Sequence, residues 1–284
     1  MMIKKHKSKT RVDIPKQKDG SKYSLKNLSK QQQAVVIAAV DTIVKFLKNN
    51  KKFKPLGATV VGCGGTGKSF IINTIIFIVR NMTQMNDTVK VGAPSGGAAY
   101  NVQWSILHRL LRINVSRPEE KVTGTALENL QECLKNLLCL IIDERSMLSS
   151  KVLAAAERNV RHSVYRGQNS GEIWGRVPVV LLFGDDYQLF PVIKCNTRVL
   201  KEKTQHATNT NSKNVCITTS LSEMKLSIHT CHVRSCIHTR QNYRVKNEEF
   251  CDLLGRLRTG EPTEQDADII LNHHIGLHES DGVD

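Results

Sequence analysis

Gly62-Cys63-Gly64-Gly65-Thr66-Gly67-Lys68-Ser69 lies between a short apolar run, Ala58-Thr59-Val60-Val61, and a longer one, Phe70 to Val79. The order reads as strand, glycine-rich loop, helix. That is the setting a phosphate-binding loop of the form G-x-x-x-x-G-K-S requires. Gly62, Gly64, Gly65, Thr66 and Gly67 form the expected cradle, in which backbone N–H groups turn inward with no Cβ in the way. A helix starting near Lys68 adds the positive end of its dipole. Lys68 is expected to reach the β- and γ-phosphates of a bound nucleotide, and Ser69 to hold Mg²⁺.

Outward from this loop, strands and helices alternate. Val89-Lys90-Val91-Gly92-Ala93 reads as a strand and leads into Pro94-Ser95-Gly96-Gly97. A helix is predicted over Val102 to Leu111, carrying His108, and another over Ala126 to Lys135. The strand Leu137 to Ile142 ends at Asp143-Glu144; after a helix over about Lys151 to Val164, the strand Pro178 to Phe183 leaves through Gly184-Asp185-Asp186-Tyr187-Gln188. These strands are unbroken apolar runs rather than alternating ones. Such runs imply an α/β fold with a parallel sheet covered on both faces. Loops at the carboxyl ends of the strands then form the site. Upstream, Ser29 is a predicted N-cap with Gln32 as capping-box partner, opening a helix with apolar spacing to Leu47. Near the end, Glu248 to Arg258 reads as an amphipathic helix capped at Thr259-Gly260, and Glu264 to Leu271 as a further helix.

The chain has 284 residues, room for one large or two small domains with a sizeable core. Its formal charge of +15 implies a polyanionic partner, with nucleic acid foremost. Aromatic content of 5% argues against a β-sandwich. The eight cysteines follow no framework spacing and no secretory signal precedes them, which argues for reduced thiols and against a disulfide scaffold. Cys231, His232, Cys236 and His238 lie close together, but no second C-x-x-C pair completes a zinc pattern, and no metal is expected there. No apolar run reaches the length of a membrane span. The basic stretch Met1 to Arg11 is read as a disordered tail, a nuclear address or a nucleic-acid arm.

Asp143-Glu144 after an apolar strand is the expected partner of a P-loop. The aspartate binds Mg²⁺, and the glutamate orients and deprotonates the attacking water. Gln188 ends a buried strand and, taken alone, reads as a solvated loop glutamine.

Together these segments resemble the Pif (petite integration frequency) family of superfamily-one DNA helicases, including the versions carried by Helitron-type transposons. Leu28-Ser29-Lys30-Gln31-Gln32 is similar to the family's Q-motif, which makes Gln32 an adenine reader by resemblance. Ile142-Asp143-Glu144-Arg145-Ser146-Met147 has the family's D-E-x-S-M form, and Phe183 to Val192 resembles its sensor motif. A role in sensing a γ-phosphate comes to Gln188 only by this family resemblance. Ala93 to Val102 with His108 looks like the single-strand-binding motif, and implies DNA contacts from Pro94, Ser95, Gly96, Asn101 and His108. Gln241-Asn242-Tyr243-Arg244 looks like the start of a second RecA-like domain, whose arginine reaches the γ-phosphate. Gln103-Trp104-Ser105-Ile106 and Phe190 depart from the family pattern.

The resemblance implies a basic tail over residues 1–27, a RecA-like ATPase domain over 28–194, a linker or small subdomain over 195–237 and an incomplete second RecA-like domain over 238–284. It implies ATP and Mg²⁺ as cofactors, and single-stranded DNA and duplex junctions as partners, with no membrane. The expected activity is ATP-driven 5′–3′ translocation and duplex unwinding, in repair, recombination or telomere maintenance. The expected molecule is a monomer in the nucleus, with the mitochondrion as the alternative. An ATPase that binds ATP and nucleic acid without unwinding is the rival expectation.

Overall fold

The computed structural model describes residues 23–49, 53–95, 105–164, 172–188, 235–239, 241–244 and 247–275. Helix α1 (Lys30–Leu47) opens as the sequence predicts. Ser29 Oγ accepts from Gln32 N at 3.3 Å, and Gln32 Oε1 accepts from Ser29 N at 2.9 Å. Strand β1 (Leu56–Gly62) feeds the glycine-rich loop and α2 (Lys68–Thr83) follows it. Next come β2 (Val89–Ala93), β3 (Ser105–Ile106), the single turn α3 (Leu107–Leu110) and α4 (Gly124–Leu134). Then follow β4 (Cys139–Ile142), α5 (Ser150–Ser163), β5 (Val179–Gly184) and β6 (Ser235–Thr239). Helices α6 (Glu248–Thr259) and α7 (Glu264–Ile275) close the described chain.

The strands form one six-stranded sheet in the order β3-β2-β4-β5-β1-β6, and every pair is parallel. The side chains of each central strand divide between its faces. Cys139, Ile141, Val179, Leu181 and Phe183 pack with α1 and α2, against Val36, Ile43, Ile71, Ile72, Ile75 and Ile78. Leu140, Ile142, Val180 and Leu182 face the other way, against Leu107, Leu130, Leu134, Leu153 and Val160. Both faces are dry, so consecutive strand residues are all apolar. Each of these side chains contributes about 1.5–3 kcal/mol by leaving water.

Three sequence boundaries move. Residues 23–27, assigned to a basic tail, are ordered against the domain. Ser24 caps a short 3₁₀ turn over Leu25–Asn27, and the Tyr23 ring lies 5.7 Å from Phe70 and 6.2 Å from Phe77. Of the helix predicted over Val102 to Leu111, only α3 is helical among the described residues. Ser105 and Ile106 instead pair with Gly92 and Ala93 as β3, where the branched Ile106 suits an extended chain. The boundary drawn between 237 and 238 runs through β6. Ala58 to Gly62 pair with Ser235 to Thr239, which places this strand in the first sheet rather than in a linker.

Helix α6 starts at an Asn247 cap, whose side chain accepts from Phe250 N, and ends as expected at Gly260 in the left-handed region. Asp266 of α7 accepts two hydrogen bonds of 2.7 Å from Arg256 of α6. That pairing holds the Asp266 carboxyl well below the usual carboxylate range.

Candidate active site around the glycine-rich loop

The loop leaves the end of β1 and hands directly to α2. Gly65 and Gly67 have φ of 88° and 79°, a conformation that side chains resist. Lys68 Nζ donates to Gly62 O at 2.7 Å and Cys63 O at 3.0 Å, so its charge is fixed at the mouth of the loop. Burial lowers the Lys68 pKa, while Asp143, Asp185 and Glu144 pull it back up. These carboxylates come from the ends of β4 and β5, so the strand ends converge on one ammonium group.

Asp143 is buried at the end of β4, and its N–H donates to Gly92 O at 2.9 Å. Its Oδ1 is buried with no hydrogen-bond partner among the described residues. Burial raises its pKa from 3.8 to about 6, which the Glu144 backbone hydrogen bond opposes. A buried, unpartnered carboxylate oxygen that interacts with Lys68, the first residue of the helix that also carries the Ser69 hydroxyl, offers hard oxygen of the kind a divalent cation takes. The residues present therefore fit Mg²⁺.

A carboxyl whose folded pKa lies above its unfolded value costs the fold stability as the pH rises from 3.8 to about 6, because there the unfolded chain ionises while the folded one stays protonated; above that the cost is constant. That cost is at most about 3 kcal/mol at neutral pH and disappears as the pH falls towards 4. Asp143→Asn is expected to raise the melting temperature of the ligand-free protein at neutral pH. The gain should fade towards pH ~4, and the variant should lose the extra stability that Mg²⁺ with nucleotide confers. Thermal melts across pH, with and without Mg²⁺ and nucleotide, check this.

Glu144 follows in the left-handed region at φ 50°, ψ 45°, half-buried. A non-glycine residue there marks a strained turn of the sort functional sites keep. Gln188 reaches the loop: a Cβ on Gly64 would lie 3.7 Å from Gln188 Nε2. Arg244 arrives from beyond β6. Its Cβ would stand 2.9 Å from a Cβ on Gly65, and its N–H donates to Asn242 Oδ1 at 2.9 Å. Lys68, Asp143 and Glu144 interact electrostatically, and Gln188 Nε2 and the Arg244 Cβ lie close to the loop glycines.

Gln32 is brought there too, but with its polar atoms engaged. Nε2 donates to Thr66 O at 3.0 Å while Oε1 serves the capping box, and the side chain is buried. Pro94 and Ser95 sit at the end of β2, with β4 and β5 between that strand and β1. Gly96 and Asn101 lie outside the described residues. His108 is half-buried on α3, and burial lowers its pKa. Cys236 Sγ lies 3.4 Å from His238 Nε2, both exposed on β6; Cys231 and His232 lie outside the described residues.

Sequence reasoning missed the strap that holds the loop from outside. Tyr243 N donates to Gly65 O at 2.9 Å and Asn242 Nδ2 to Gly64 O at 3.4 Å. The buried Thr239 hydroxyl donates to Thr66 Oγ1 at 3.0 Å, and a Cβ on Gly62 would lie 2.9 Å from Thr239 O. The run Gln241 to Arg244 held part of the signal, yet only Arg244 was given a role. Nothing in the sequence marks Thr239.

A family model described as PIF1-like helicase matches residues 27–268. The ATP-dependent DNA helicase RRM3 of Saccharomyces cerevisiae is 27% identical over 231 residues, which is 78% of this chain and 28% of the yeast protein. The ATP-dependent DNA helicase Pif1 of Campylobacter jejuni is 27% identical over 235 residues, 78% of this chain and 43% of that protein. Among solved structures, Pif1 helicases coordinating at forked double-stranded DNA align with a TM-score of 0.59 at 23% identity, over 85% of this chain and 50% of theirs. Pif1 helicase from Candida albicans aligns at 0.58 and 21% identity, over 86% and 47%. The structures share the fold, and the chain spans half or less of the length of each of these relatives. By the match to more than four-fifths of its length, the chain belongs to the PIF1-like helicase family.

Proposed function

We propose that this chain carries the ATP-hydrolysing centre of a DNA helicase that moves 5′ to 3′ on single-stranded DNA and opens duplex junctions. The convergence of Lys68, Asp143, Glu144, Gln188 and Arg244 on the Gly62–Ser69 loop carries this reading. The relatives' names, as ATP-dependent DNA helicases, support it, as does a neighbouring structure described as Bacteroides Pif1 bound to ssDNA. The formal charge of +15 suits a polyanionic track.

In this mechanism the N–H groups of Gly64, Gly65, Thr66 and Gly67 cradle the phosphates, and Gln32 stands at the adenine end. Lys68 exchanges its two loop carbonyls for β- and γ-phosphate oxygens. Ser69 and Asp143 would hold Mg²⁺, which when bound offsets phosphate charge. Glu144 takes a proton from the attacking water, Gln188 orients that water, and Arg244 meets the charge developing on the γ-phosphate. Pro94, Ser95, Gly96, Asn101 and His108 grip DNA, a contact that weakens with salt. Residues from 241 onward lead into a second RecA-like unit. The working molecule is a nuclear monomer in repair, recombination or telomere upkeep.

A second reading is an ATPase that binds nucleic acid without opening a duplex. Strand displacement separates the readings. With ATP, a duplex carrying a 5′ overhang should be opened and one carrying a 3′ overhang left intact. DNA-stimulated hydrolysis with no displacement would establish the second reading. Absence of hydrolysis would end both.

A further inference from the structure

The dipeptide Asp185-Asp186 follows β5 and binds two arginines on different elements. Asp185 takes Arg258 of α6, whose guanidinium stands 4.7 Å from the Tyr187 ring centre, and also accepts from Tyr187 N at 3.2 Å. Asp186 takes Arg145, which directly follows Glu144. The Arg145 side chain is 7% exposed and that of Asp186 is 33% exposed. Its stem lies flat on Gly184, where a Cβ would meet Arg145 Cγ at 2.7 Å and Arg145 N at 3.0 Å.

The pair therefore joins the turn that carries Glu144 to the turn that carries Gln188. Gln188 is two residues past Asp186, and its N–H donates to Asp185 O at 3.2 Å. Glu144 is one residue before Arg145 and sits in the strained left-handed region. A strained conformer persists only where its surroundings over-determine it. The Arg145 end of the pair is buried, so parting the charges would leave its guanidinium uncompensated.

We propose that Arg145 and Asp186 are positioning residues for hydrolysis: their ion pair fixes Glu144 and Gln188 relative to one another at the γ-phosphate. This rests on the ATPase reading above. The pair's effect is on geometry, and a misplacement of about 1 Å at a reacting centre can cost 10²-fold in rate.

The test neutralises the more exposed partner, leaving the packing of Arg145 on Gly184 in place. Asp186→Asn should lower the kcat of DNA-stimulated ATP hydrolysis by about 10- to 100-fold, with KM and the affinity for a fluorescent nucleotide within about twofold of the parent. Asp186→Glu, which keeps the charge, should recover most of that rate. A merely structural pair would lower rate, nucleotide affinity and melting temperature together, and that result would overturn the proposal. So would a kcat for Asp186→Asn equal to the parent's, or no recovery in Asp186→Glu. An inactive parent chain would remove the ATPase reading itself, whereas an active parent with unaffected variants would remove this proposal alone.

Discussion

Lys68→Ala lowers ATP turnover by about 10³-fold, the scale seen when one preorganised charge donor is removed from a transition state. The reason is local. Lys68 Nζ is held at the loop mouth by Gly62 O and Cys63 O, with Asp143, Asp185 and Glu144 around it. Without it the loop faces the acids with no cation of its own. Nucleotide affinity should fall as well, because a lysine on the β- and γ-phosphates acts in the ground state as much as in the transition state. The fold should survive, since the ammonium contributes to no apolar cluster. Steady-state hydrolysis, nucleotide titration and a thermal melt on the same preparation measure all three effects.

Glu144→Gln separates binding from chemistry. The substitution keeps size and shape, so ATP affinity should stay within about twofold, while turnover falls by roughly 10²- to 10⁴-fold through loss of the proton acceptor. A protein that holds ATP without hydrolysing it is the expected state. It should also retain DNA, if the ATP-bound form is the one that grips it. Single-turnover hydrolysis beside equilibrium nucleotide binding gives the answer. A turnover within threefold of the parent's would remove Glu144 from the role of base.

The central sheet and the loop were legible in the residues because each carries a redundant signal. β4 and β5 read as unbroken apolar runs since both faces are dry, and Gly65 and Gly67 stand where φ is positive. The Ser29–Gln32 capping box was legible for the same reason, as it is wholly local. The outermost strands were not. β3 is two residues long, and in β6 Cys236 and His238 are exposed while Thr239 is buried, too short a pattern to declare a strand. The site's tethers were also hidden. Arg145–Asp186, Arg258–Asp185 and Thr239–Thr66 join residues far apart in sequence, and each partner reads alone as an ordinary polar side chain. The left-handed turn at Glu144 had no glycine to announce it.

The position of β6 bears on how this protein can be dissected. A fragment ending at residue 194, the domain limit the sequence suggests, would keep every residue of the nucleotide loop. It would nevertheless strip β1 of the partner that pairs with Ala58 to Gly62. The bared backbone donors and acceptors would then run along an open sheet edge, a template on which a second molecule can add a strand. Such a fragment is expected to self-associate through β1, with the phosphate loop trapped at the end of the seam, while a fragment extended through Thr239 keeps that edge covered.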